Sequence, residues 1–405
     1  MKEDIVKTGV QTVRPLALSI MLTMLLTEGV LSSRVATAAT YYVATAGNNA
    51  NSGTQAQPFR TIAKGLTVLQ AGDTLYLRGG PYTENIDSNE QTIPSGTSWS
   101  NAITIAAYPG ETVILNGHIN FVTSPCGSGS IAYLIFDRLI IDATGHFGGV
   151  GGCGDNAHHI RYQNGELKNS RGSGMLGIGT GSEIINMKVH HNGSSWLDHG
   201  IYWCESDTII RDSEFYENTG YGIHLYGGDR CGNNVKIYNN RIYNNHYAGV
   251  TLNHGTNILF YNNLVYNHTQ PDGWALQIDR GTTNAQVYNN TLHNNLNGVQ
   301  VWRVTNTIVK NNILSQSGNI SDSSTGLVQS NNLTTDPKFV NASANDFTLQ
   351  AMSPAIDAGT TLSAVTTDIV GTLRSQSCCY DIGAYEYQGV QLALPSPRNL
   401  KAVIP

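Results

Sequence analysis

A six-residue phrase recurs down the middle of this chain, and its spacing leaves few folds open. It reads Ile135-Phe-Asp-Arg-Leu-Ile140, Tyr162-Gln-Asn-Gly-Glu-Leu167, Ile184-Ile-Asn-Met-Lys-Val189 and Ile210-Arg-Asp-Ser-Glu-Phe215. It continues as Ile237-Tyr-Asn-Asn-Arg-Ile242, Phe260-Tyr-Asn-Asn-Leu-Val265, Val287-Tyr-Asn-Asn-Thr-Leu292 and Val309-Lys-Asn-Asn-Ile-Leu314. The last apolar residue falls at 140, 167, 189, 215, 242, 265, 292 and 314, intervals of 22 to 27 residues. Intervals of that size belong to solenoids, in which each repeat buries its apolar face against its neighbours. Apolar and polar residues alternate, β-branched and aromatic side chains are frequent, and no long helical stripe appears, so the repeat is built of strands. The third residue of every phrase is Asp or Asn: Asp137, Asn164, Asn186, Asp212, Asn239, Asn262, Asn289 and Asn311. These side chains tolerate left-handed backbone and bond their own neighbourhood, which suits a tight bend between two strands. Stacked one above another, side-chain amides also bond to the next layer.

This pattern resembles the asparagine ladder of right-handed parallel β-helices, the fold of pectate lyases and many other polysaccharide-active proteins. The expected fold is all-β: a right-handed parallel β-helix, a single solenoid with an asparagine ladder and an N-terminal cap. Eight ladder positions at roughly 4.8 Å per layer make a rod core on the order of 35–40 Å long. In each repeat a strand ends at the Asn bend, a short second strand follows, a variable loop absorbs the changing interval, and a third strand closes the coil. The third strands read His199-Gly-Ile-Tyr-Trp203, Tyr221-Gly-Ile-His-Leu225, Ala248-Gly-Val-Thr-Leu252, Trp274-Ala-Leu-Gln-Ile278 and Asn297-Gly-Val-Gln-Val301. Period-two alternation points Ile201, Ile223, Val250, Leu276 and Val299 inward, with Trp203, Leu225, Leu252, Ile278 and Val301. Between them Tyr202, His224, Thr251, Gln277 and Gln300 face outward in one column.

The domain boundaries follow from the phrases. Residues 131–318 are the regular coils and 40–130 the cap and first coils, with a short capping helix over 62–70. Residues 319–387 are a closing segment and 388–405 a linker or tail. Gly53-Thr54, Pro58-Phe59, Gly72-Asp73-Thr74 and Gly79-Gly80-Pro-Tyr82 resemble the N-terminal cap of secreted bacterial β-helix proteins. Asp336-Pro-Lys-Phe339, Ser353-Pro-Ala-Ile-Asp-Ala-Gly359 and Asp381-Ile-Gly-Ala-Tyr385 resemble their closing segment.

Residues 1–39 have the order of a secretory signal. Lys2, Lys7 and Arg14 precede an apolar run from Leu16 to Leu26, and small residues ending Ala36-Thr37-Ala38 follow. The run is short for a membrane span. A secreted protein, extracellular or periplasmic, is therefore expected, with no stable membrane insertion after signal removal. The formal net charge of −6 argues against a nucleic-acid partner recognised through a broad basic face. Assembly state is left open. Cys126 and Cys153 stand 27 positions apart, as do Cys204 and Cys231, which is one repeat, so each pair is placed to bridge neighbouring layers in an oxidising compartment. Cys378-Cys379 is a vicinal pair with no assigned purpose.

The resemblance places an active site on the outward third-strand surface and implies a polysaccharide substrate. The column there carries groups for β-elimination at a uronic acid: a base for the C5 proton, an acid for the leaving oxygen, and a partner for the carboxylate. His224 is expected as the base and Tyr202 as its proton-transfer partner. Arg230 and Arg280 are expected on the carboxylate. Asp229, Asp207 and Glu205 form the candidate set for a Ca2+ ion doing the same work. Asp198, His199, Tyr226, Gln277, Trp302 and Arg303 are expected to bind substrate. Trp196-Leu-Asp-His199 also looks like the Trp-Ile-Asp-His phrase of pectate lyases. The leading expectation is a lyase of an acidic polysaccharide. A glycoside hydrolase or uronan epimerase on the same groove, and a non-catalytic carbohydrate-binding surface protein, stand as alternatives.

Overall fold

A computed structural model describes residues 37–122, 130–152, 157–226, 232–374 and 378–389. Residues 1–36 of the proposed 1–39 signal, Cys126, Cys153, Cys231, Asp229, Arg230 and the tail beyond Gly389 lie outside the described residues.

The repeats fold as a parallel β-helix. Among the described residues, three parallel sheets of twelve, ten and ten strands run the length of the coil. One turn shows the plan: Lys236–Tyr238 lies in the first sheet, Arg241–Tyr243 in the second and Val250–Asn253 in the third, and Leu259–Tyr261 begins the next turn in the first. Both expected inward columns of the third sheet are buried, from Ile201 at 0% to Trp203 at 2% exposed. Trp203 keeps its indole satisfied inside, donating to Thr208 Oγ1 at 3.2 Å. The Gly that precedes most of the third strands is forced by proximity. A Cβ on Gly222 would stand 2.7 Å from Asn245 Nδ2.

The Asn-Asn phrases make two ladders rather than one. The first Asn of each pair takes the left-handed bend, as at Asn239 (φ 58°), Asn262 (φ 53°) and Asn289 (φ 51°). The second Asn turns inward and carries the continuous buried ladder: Nδ2 of Asn240, Asn263, Asn290 and Asn312 donates to Oδ1 of the next rung at 2.9–3.0 Å. A further buried ladder stands at the next corner, from Asn192 to Asn218 to Asn245. There His268 occupies an amide rung, accepting from Asn245 Nδ2 at Nε2 and donating from Nδ1 to Asn295 Oδ1.

The first regular coil corrects the expected register. Gln163 pairs with Asp137 and Leu167 with Ile141, so the bend residue is Arg138 (φ 58°) and the inward residue is Ile141. Asp137 still joins the outer ladder, accepting from Asn164 Nδ2 at 2.8 Å. The capping helix is also shorter than expected, Ile62–Leu66, with Thr61 Oγ1 accepting from Lys64 N at its start. The closing segment folds back along the outside of the coil. Carbonyls of Thr367, Asp381 and Thr360 accept from the outer amides of Asn262, Asn289 and Asn311, and Arg374 and Glu386 pair at 3.0 Å with almost no exposure.

Candidate active site

The outward column is in register as expected, with Tyr202 opposite His224, His224 opposite Thr251, Thr251 opposite Gln277 and Gln277 opposite Gln300. It floors a cleft of about 780 Å³ lined by Asp198, His199, Tyr202, His224, Tyr226 and Arg280 among others. A concave site with aromatic walls and a few placed polar groups is the usual form of a ligand site.

Most tyrosines here are structural: Tyr216, Tyr243 and Tyr266 stack rung on rung with ring centres 4.9 Å apart. Tyr202 stands differently. Its ring meets His224 edge-on at 5.2 Å and lies 6.2 Å from Tyr226. Burial, with the neighbouring Tyr226, raises its phenol above the ordinary value.

His224 is backed by His199, which is 2% exposed. The backbone N–H of Tyr221 donates to His199 Nδ1 at 3.1 Å, and His199 Nε2 faces His224 Nδ1 at 2.9 Å. This order fixes the tautomers. His199 Nδ1 accepts, so the neutral ring carries its proton on Nε2 and donates it to His224 Nδ1. His224 in turn carries its proton on Nε2, since a neutral imidazole has one N–H. Burial lowers His224 to about 4, and burial with the neighbouring His224 lowers His199 to about 3, so both rings are neutral at ordinary pH. His224, expected as a base, therefore presents an N–H donor.

Asp198 builds the rim of the cleft. Its Oδ2 accepts from the backbone N–H groups of Ser194 and Ser195 and from Ser195 Oγ at 2.8–3.0 Å. That turn needs Gly193 at φ +98°, where a side chain would be strained. On the rim above, Trp196 is 53% exposed and stacks on Tyr247.

Arg280 is exposed and lines the cleft. Its guanidinium lies 5.4 Å from the Trp302 ring, while that of Arg303 covers the same ring at 4.2 Å. Trp302 and Arg303 thus flank the cleft rather than line it. Gln277 is held in the column, accepting from Thr251 Oγ1 and donating to Gln300. Tyr221 was not anticipated as a site residue. It lines the cleft, 4.7 Å from the His224 ring.

The described members of the candidate calcium set do not fit a shared ion. Glu205 Oε2 accepts from the backbone N–H groups of Cys204 and Ile178. Asp207 Oδ1 takes a corner-ladder bond from Asn234 at 2.9 Å. Among the described residues no three His, Cys, Asp or Glu side chains gather as a metal site. Cys204 is disulfide-bonded, and Cys378 and Cys379 are free thiols.

Residues 173–341 match the right-handed β-helix region family. The chain folds as a right-handed parallel β-helix. Residues 45–94 of this β-helix protein match a family described as a protein of unknown function, DUF1565. Pectate lyase PEL9 of Emericella nidulans is 41% identical over 80 residues, 20% of this chain and 19% of that one, so the match spans about a fifth of that relative's length. The crystal structure of pectate lyase Pel9A aligns with a TM-score of 0.64 at 17% identity, covering 86% of this chain and 96% of that one. A structure described as a glycoside hydrolase aligns at 0.57 with 11% identity, covering 78% and 99%. At such identities the likeness is one of fold, and a fold alone does not assign chemistry.

Proposed function

We propose that this chain is a polysaccharide lyase that cleaves an acidic, uronate-containing polymer by β-elimination in the cleft. Pectate is the first substrate to try, because the named relatives include pectate lyases. The observation that carries the reading is the fixed His199–His224 pair standing beside Tyr202 in one aromatic-walled cleft.

Elimination removes the proton at C5, forms the C4–C5 double bond from that electron pair, and breaks the bond from C4 to the glycosidic oxygen. Tyr202, as phenolate, takes the C5 proton and, as phenol, returns it to the departing oxygen, so the enzyme ends as it began. His224 Nε2–H and the Arg280 guanidinium hold the uronate carboxylate while charge builds on it. Tyr226 and Gln277 contact the flanking sugars. Hydrolysis would need two carboxyl groups across the scissile bond. Among the described residues Asp198 and Asp279 are the acids lining the cleft, and Asp198 is committed to its loop. The signal-like order of residues 1–39 supports export to where such polymers occur.

Absorbance at 235 nm, followed on pectate, alginate and a glycosaminoglycan, tests the proposal. An unsaturated product is expected from one of them. Reducing ends without that absorbance would support the hydrolase, and binding without either product would support a non-catalytic surface protein.

A further inference from the structure

The outward column that carries Tyr202 does not begin there. Toward the N-terminal end of the same sheet it continues in register through Leu176, Gly151, Asn120 and Asp87. Three rungs put Asn120 roughly 14 Å from Tyr202, the span of a few sugar units. A second cleft of about 420 Å³ opens there. Phe147 and Leu176 line both clefts, so one extended polymer can pass from the first into the second. Phe147 is 61% and Leu176 38% exposed. Together they offer an exposed apolar platform shared by the two clefts.

A hydrogen-bonded chain stands beside that platform. Asp87, 7% exposed, accepts at Oδ1 from Asn89 N and Nδ2 and from Asn120 Nδ2. Burial opposes its charge, but these bonds and the one from His118 outweigh it and hold the carboxyl below the usual range. Asp87 Oδ2 meets His118 Nε2 at 2.9 Å, and His118 Nδ1 meets His146 Nδ1 at 2.9 Å. An ionised carboxylate only accepts, so His118 donates from Nε2. His118 Nδ1 and His146 Nδ1 share one hydrogen bond, so the second ring nitrogen of His146, Nε2, is the one left for a ligand. No Lys, Arg, Asp or Glu is among the described residues lining this second cleft. Arg171, 6.0 Å from the Phe147 ring, lies outside the lining.

We propose that the second cleft is a remote subsite for the same polysaccharide, taking a sugar unit without a free carboxylate, neutral or esterified. A hydroxyl of that unit hydrogen-bonds His146 Nε2 while its apolar face lies on Phe147 and Leu176. Among the described residues lining this cleft a uronate finds no cation, and it meets the field of the buried Asp87 carboxylate. The proposal rests on the groove being a polysaccharide site, and it adds that the preferred polymer is mixed in charge along its length.

Calorimetry on the full chain carrying Tyr202→Phe tests this without consuming ligand. The probes are an oligogalacturonate trimer, a fully acidic hexamer, and a hexamer methyl-esterified at both terminal units. The esterified hexamer is expected to bind about tenfold more tightly than the trimer, and the acidic hexamer to gain less. Two further variants locate the gain. His146→Ala removes the hydrogen-bonding ring. Gly148→Phe fills the cleft from a position where an added Cβ meets nothing nearer than 3.6 Å. Each should erase the gain and leave trimer affinity unchanged. Equal affinity for trimer and esterified hexamer, a larger gain for the acidic hexamer, or a gain that survives Gly148→Phe overturns the subsite. The lyase reading fails separately, through absence of 235 nm product from the unsubstituted chain.

Discussion

His224 and Tyr202 were both legible in the sequence, because period-two alternation within repeated phrases fixes which side chains leave the core. The polarity of His224 was not. It depends on one backbone N–H, that of Tyr221, donating to His199 Nδ1, and a residue ahead of a strand carries no periodic sign of what it backs. Long-range proton–nitrogen NMR of histidine-labelled protein at pH 7 should find His224 protonated at Nε2 and bare at Nδ1. The reverse assignment would remove the proposed donor role. The same geometry sets the pH profile. Burial lowers His224 to about 4 and His199, with the added effect of His224, to about 3. No histidine inflection should therefore appear in kcat/KM between about pH 5 and 8. Tyr202 is raised, chiefly by burial, so activity should climb on the alkaline side as the phenol ionises. A bell centred near the ordinary histidine value would contradict this assignment.

At the scale of the elements, the ladders explain both what the repeats announced and where they misled. An Asn or Asp at or next to every bend was visible. That the second Asn of each pair carries the continuous inner ladder was not, because turn chemistry accounts equally well for either. In the first regular coil Asp137 mimicked a bend residue while Arg138 made the bend. Asn263 receives the N–H and amide of Asn240 and donates to Asn290 Oδ1 and Ile237 O. Asn263→Ala leaves several of these buried groups without partners, each costing about 1–3 kcal/mol. A loss of at least about 2 kcal/mol is expected in urea unfolding, with amide exchange rising first in the rungs beside it. His268 adds a pH dependence. Burial lowers it to about 4, so the unfolded chain binds a proton that the folded one refuses as pH falls from about 6.5 toward 4. Its contribution is full above the unfolded value and falls by roughly 1 kcal/mol per pH unit in that window. His268→Asn restores an amide rung and removes the titration. The Tm of that variant should fall less between pH 7 and 4 than that of the parent, and an unchanged slope would show that His268 stays neutral for no structural cost.

For the whole molecule, the sequence supported the coil and its groove far better than its outer dressing. The return of the closing segment over Asn262, Asn289 and Asn311 joins residues 49 to 105 positions apart, and no local period marks such contacts. The continuity of the two clefts is hidden in the same way, since Phe147 comes from a loop that the repeat does not constrain. The groove itself follows from repetition: parallel rungs place one outward residue per turn in a line, and a line of side chains suits a polymer. The central claim is that Tyr202 moves the proton of an elimination on that line. The most direct measurement is the initial rate of 235 nm absorbance on pectate for Tyr202→Phe against the parent, with the far-ultraviolet β signature of both confirmed. The account predicts a product from the parent and a fall of about 10²–10⁴ in the variant, the usual scale for losing a proton-transfer group. Activity retained within a few fold, or no unsaturated product from the parent, would contradict it.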